Sequence, residues 1–98
     1  MKIKFPVLIC YPKQMDSLME FLTNKGYKWT SERSLADWRD IMVNIIPSKS
    51  SPVWILLGNR GSGKNCISFY NCKEEEDSSE KWVCDWCGYA PREVEFED

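Results

Sequence analysis

The stretch VWILLGNRGSGKNCISFY, residues 53–70, decides how this chain folds. Val53-Trp54-Ile55-Leu56-Leu57 is the strongest strand candidate in the sequence, and Cys66-Ile67-Ser68-Phe69-Tyr70 is a second β-prone run. The glycine-rich segment from Gly58 to Lys64 joins the two. Glycine and asparagine accept positive φ readily, so the simplest geometry for the whole stretch is a β-hairpin closed by a flexible loop.

The same segment, Gly58-Asn59-Arg60-Gly61-Ser62-Gly63-Lys64-Asn65, spells G-x-x-x-x-G-K, the spacing of a phosphate-binding P-loop, and a strand precedes it as that motif requires. The chemistry needs glycines that let backbone N–H groups close on phosphate oxygens, a lysine for the outer phosphates, a hydroxyl for Mg²⁺, and a helix N-terminus behind the loop. Asn65 supplies no hydroxyl, and the residues after it are strand-like. The chain beyond the loop is also too short to complete a doubly wound sheet. These failures weigh against a P-loop hydrolase, and the expected reading is the hairpin loop. They leave open an anion-binding nest formed by Arg60, Gly61, Gly63 and Lys64, suited to a nucleotide, a phosphate or a partner's carboxylates.

Upstream, IKFPVLIC at 3–10 reads as a short apolar strand, with Pro6 marking an edge or a bulge because it cannot donate a ladder hydrogen bond. Pro12 suits a helix start, and Met15, Leu18, Met19 and Leu22 recur at the spacing of one helical face until Gly26 stops the pattern. The spacing predicts a helix over about 12–25. Tyr27-Lys28-Trp29-Thr30 is a short β-prone run expected to pair beside the first strand. Ser34 with Asp37 marks a second, shorter helix over about 34–42, carrying Leu35, Trp38, Met42 and Ile45. Pro47 to Pro52 is a loop by composition.

Downstream, KEEEDSSEK at 73–81 reads as a solvated acidic loop, and the Cys-containing segment 82–98 as an appendage holding one short strand, around Trp82-Val83 or Val94 to Phe96. Together these features predict a single α+β domain over 1–98. Its core is a small mixed or antiparallel sheet of four to five strands, with one main helix packed on one face.

The chain has 98 residues, 43% of them apolar, and five tryptophans, which is the composition of an ordered domain with one modest core. Neither a signal-peptide core nor an apolar run long enough to span a bilayer is present, so the expected location is the cytoplasm of the host cell, away from membranes. Five cysteines, an odd number without an export signal, are expected as reduced thiols rather than disulfides. With no histidine in the chain, the Ser-His and Cys-His nucleophile pairs cannot be assembled, and the expectation is a protein without an enzymatic site. Charge divides unevenly: residues 1–72 hold ten Lys/Arg and five Asp/Glu, and residues 73–98 hold three and ten. The basic body makes nucleic acid a possible but less favoured partner. The acidic run offers Glu74, Glu75, Glu76 and Asp77, with Trp86 nearby, to a basic groove on another protein. A homodimer is an open alternative.

Two resemblances extend this reading. Cys84-Asp85-Trp86-Cys87-Gly88 resembles one knuckle of rubredoxins and zinc ribbons, which implies half of a zinc or iron site. Two further ligands would come from Cys72 and either Cys66 or Cys10. Cys66 and Cys72 lie about 20 Å apart if the strand between them is extended, so at most one of them joins unless the strand ends early. The expectation is no cofactor, with zinc as the alternative. A thioredoxin-like role for the pair is opposed by Gly88, Pro91, Asp85 and Glu93, which disfavour both a helix and a low thiol pKa.

The order strand, helix, Gly26-Tyr27-Lys28-Trp29, loop and two strands resembles small accessory proteins of phages and prophages that carry G-Y-x-W after their helix. That likeness implies a non-catalytic protein that engages and inhibits a host or bacterial defence protein, in the manner of anti-CRISPR inhibitors. The alternatives are a protein that sequesters a nucleotide or other anionic ligand on the Gly-rich loop, and a zinc-stabilised nucleic-acid-binding module.

Overall fold

In the computed structural model, which describes residues 1–58, 65–72 and 79–97, the chain begins with two short strands, β1 (Lys2–Phe5) and β2 (Val7–Ile9). Helix α1 (Pro12–Asn24), strand β3 (Lys28–Trp29), and a 3-10 turn (Leu35–Asp37) running into α2 (Trp38–Ile41) come next. The second half holds β4 (Val53–Gly58), β5 (Cys66–Asn71), α3 (Glu80–Cys87) and β6 (Arg92–Glu95). The predicted first strand is divided at Pro6, where the Phe5–Pro6 peptide is cis.

The apolar run 53–57 and its partner form the expected antiparallel pair, with Leu57 opposite Ile67 and Val53 opposite Asn71. The four-stranded sheet has the order β2-β4-β5-β3, and a separate two-stranded sheet joins β1 to β6. The expected strand pairing fails at one place. β3 does not lie beside the first strand; it pairs in parallel with β5, at the opposite edge of the sheet, with Trp29 level with Ile67. Parallel strands need a crossover connection, and α1 is that connection between β2 and β3. The crossover leaves room for the β4–β5 hairpin to insert between the two strands it joins, so neighbours in sequence are not neighbours in the sheet.

Side chains alternate across each strand, so the register assigns every sheet residue to a face. Val53, Ile55, Ile67, Trp29 and Ile9 join Met15, Met19 and Leu22 of α1 and Leu35, Trp38 and Met42 around α2 in the main core. Trp54, Leu56 and Cys72 form a second, smaller core with Val83 of α3. Helices therefore cover both faces of the sheet, and this is why residues 53–57 are apolar without interruption instead of alternating. The segment 82–98, read from sequence as an appendage with a single short strand, contributes most of α3, which begins at Glu80 inside the stretch read as an acidic loop, and all of β6. It places Val83 in the second core and Phe96 in the main one, where Phe96 meets the Phe21 ring edge-on at 5.2 Å.

Helix α1 matches its sequence reading closely. Pro12 opens it, Gln14 Oε1 accepts from the backbone N–H of Cys10 and of Tyr11, and Gly26 at φ +85° ends it. There the Tyr27 N–H donates to Leu22 O and the Gly26 N–H to Thr23 O, the paired bonds of a Schellman motif. The short second helix also forms where the Ser34 signal places it, with the Ser34 hydroxyl accepting from Ala36 N–H at 3.2 Å. No described helix is long and apolar enough to cross a membrane.

Candidate functional site

Eight residues of the acidic half build the most exposed aromatic surface among the described residues. Ser79 caps α3, accepting from the Trp82 N–H, and Glu80 in the first turn complements the positive end of the helix. Gly88, at φ +62°, terminates it, and the Tyr89 N–H returns to Cys84 O at 2.9 Å. Val83 then points into the second core and is fully buried. The Tyr89 hydroxyl accepts from Leu57 N–H at 3.1 Å and fastens the end of the helix to β4.

Fixing Val83 inward turns Trp82 and Trp86, one helical turn apart, toward the surface. Their rings stack at 5.6 Å with an interplanar angle of 15°, and Tyr70 of β5 leans on Trp82 at 5.9 Å. The three rings form a row that starts on the sheet and ends in solvent, where Trp86 is 69% exposed, the highest exposure of any large apolar side chain described. Ion pairs border the row: Lys4 with Glu80 at 3.4 Å, and Lys81 with Asp85 at 3.0 Å. The capped ends of the helix and the burial of Val83 fix the orientation of the row.

The cysteine pair lies on this helix, and that corrects two sequence expectations. Cys84 and Cys87 sit in the last turns of α3 and not in a knuckle, and Gly88, expected to oppose a helix, terminates one in the left-handed conformation a C-terminal glycine favours. Burial pushes the Cys84 thiol upward, and Glu80, Asp85 and Cys87 push it further the same way. Cys87, although exposed overall, is shifted the same way by partial desolvation of its thiol. Both thiols are thus held neutral at pH 7, the opposite of an activated nucleophile. The zinc reading required Cys84, Cys87, Cys72 and either Cys66 or Cys10 to converge. Cys66 and Cys72 bracket the extended strand β5 and are buried there, Cys87 is exposed, and no three described His, Cys, Asp or Glu side chains gather as a metal-binding group.

Of the residues expected to bind a partner, Trp86 is the one in view, and it occupies the exposed end of the aromatic row. Glu74, Glu75, Glu76 and Asp77 lie outside the described residues, as do Arg60, Gly61, Gly63 and Lys64 of the anion-binding reading. Trp82 joins this row although sequence reasoning did not single it out, and Tyr70, which the sequence offered only as a ring for stacking on nucleic-acid bases, stands beside it. The i, i+4 spacing of the two tryptophans is a signal for a shared helix face, hidden as long as residues 82–89 are read as a metal knuckle. No family model matches this chain, and no curated protein and no solved structure matches it either.

Proposed function

We propose that the chain is a non-catalytic binding protein that docks another protein through the Tyr70–Trp82–Trp86 row on α3. The observation that carries this reading is the exposure of Trp86 on a ring already stacked and held by its neighbours. Tryptophan is the residue most enriched among those that dominate binding energy at interfaces, and a ring fixed in advance loses little freedom on docking. The acidic residues Glu74 to Asp77 immediately precede the cap of α3 in sequence, which supports a basic rim on the partner around an apolar centre. The narrower reading, an inhibitor of a host or bacterial defence protein, rests on the Gly26-Tyr27-Lys28-Trp29 resemblance.

The test is a parallel capture from bacterial lysate with the parent protein, Trp86→Ala and Val43→Ala. Val43 is 66% exposed and lies outside the aromatic row, so it controls for general stickiness. The expected result is one stoichiometric protein retained by the parent and by Val43→Ala and lost from Trp86→Ala. Equal recovery with all three overturns the assignment of the surface.

A further inference from the structure

Helix α1 carries a second apolar stripe that packs against the main core but is only partly covered by it. Met15, Met19 and Leu22 are buried, whereas Leu18 and Phe21 are only half-buried. Together with Ile3, Val7 and Ile9 of β1 and β2, they line an open groove of about 800 Å³ on the other side of the sheet from α3. That volume is in the range of small-molecule sites, about 300–1,000 Å³. The helical wall from Lys13 to Phe21 is about 12 Å long at 1.5 Å per residue.

The N-terminal ammonium of Met1, which also lines the groove, is engaged by Glu95 and the Phe96 carbonyl. Lys13 is the single charged side chain in the lining, and it makes no ion pair among the described residues. The first turn of α1 holds no carboxylate, and Lys49 lies over the Tyr11 ring at 5.7 Å at this same end. The acidic residues of α1 face elsewhere: Asp16 accepts from Trp38 and Arg39, and Glu20 lines a depression beside Trp38. At the far end Lys25 sits over Phe21, but its ammonium donates to the Glu97 carbonyl and is engaged.

We propose that this groove binds a medium-chain aliphatic carboxylate, its tail along Ile3, Val7, Ile9, Leu18 and Phe21 and its carboxylate on Lys13. An extended chain of about ten carbons matches the wall, since bonds of about 1.5 Å laid out in zigzag advance about 1.25 Å each. An added peptide strand fits less well. Although β2 is the edge of the four-stranded sheet, the groove wall is side-chain hydrocarbon almost throughout, and a peptide there would leave its own backbone polar groups unpaired.

The experiment titrates octanoate, decanoate, dodecanoate and uncharged decanol into the full chain by calorimetry, with methyl NMR locating the site. The expected result is saturable one-to-one binding that tightens about fourfold per added methylene from octanoate to decanoate and gains less from decanoate to dodecanoate, with shifts at the methyls of Ile3, Val7, Ile9 and Leu18. Lys13→Glu, at an exposed and unpaired position, should weaken decanoate at least tenfold and leave decanol unchanged. Trp86→Ala should leave decanoate binding unaltered, so the result is independent of the protein-docking surface on α3. Absence of saturable binding, affinity that ignores chain length, shifts centred on Trp82 and Trp86, or equal weakening of decanol and decanoate by Lys13→Glu would each overturn the proposal.

Discussion

Asp16 ties α1 to α2. One carboxylate oxygen accepts from Trp38 Nε1 at 3.0 Å, the other from Arg39 at 3.0 Å, and the guanidinium lies over the Trp38 ring at 4.4 Å. Trp38 is 2% exposed, so removing its acceptor leaves a buried N–H unpaired. Asp16→Ala is expected to cost about 1–3 kcal/mol, and Arg39→Ala, which loses an exposed ion pair, below about 1 kcal/mol; thermal melting of both variants checks the order. A close approach governs Gly58, where an added Cβ would lie 2.6 Å from Thr30 Cγ2 and 3.3 Å from the Cys66 carbonyl oxygen. Gly58→Ala must displace the Thr30 methyl and the edge between β3 and β5, and a loss of about 1–3 kcal/mol in a denaturant melt is expected. Legibility differs among these residues. Gly26 announced its role because helix termination is local, whereas the Asp16–Trp38 bond joins positions 22 apart and leaves no local trace.

Among the elements, α1 was readable almost to the residue because its core stripe repeats over 13 positions between a proline and a glycine. Helix α3 was not, since eight residues carry only two turns of pattern, and Cys84-Asp85-Trp86-Cys87-Gly88 competes with a second spacing rule that points to a metal. Its position on the sheet nevertheless comes from physics visible in residues 53–57, because a strand apolar on both faces needs cover on both. Val83 is the anchor of that cover. Val83→Ala should lower stability by about 2 kcal/mol and loosen Trp82, read as a red shift of tryptophan emission; an unchanged melt would mean that α3 does not seal the second face. The placement of β3 was missed for a topological reason, as pairing across a crossover depends on what inserts between the two strands and not on the strands themselves.

At the scale of the whole molecule, a radius of gyration of 12.7 Å is what a folded chain of this length has. Tyr27, Cys84, Cys87 and Tyr89 all have pKa values raised chiefly by burial. Each binds its proton more tightly folded than unfolded, so the stability they contribute is fully present below their unfolded values and is lost as pH rises. For thiols the loss begins near pH 8.5, and for the tyrosines near pH 10. The melting temperature should therefore fall steadily above about pH 8.5; a melting temperature that rises across this window would contradict these upward shifts.

The α+β class, the β4–β5 hairpin and the main helix were legible in the sequence. Of the candidate site, Trp86 was the ring named as a protein contact, and its grouping with Trp82 and Tyr70 was not legible, because exposure is a property of the assembled surface. That exposure is the centre of the functional account. Its most direct test is the affinity of the captured partner for the parent and for Trp86→Ala, with both melts recorded. The account predicts binding weakened about thirtyfold or more, the factor that a loss of about 2 kcal/mol at a hot spot implies, with the melting temperature nearly unchanged. Equal affinity for both proteins would contradict it.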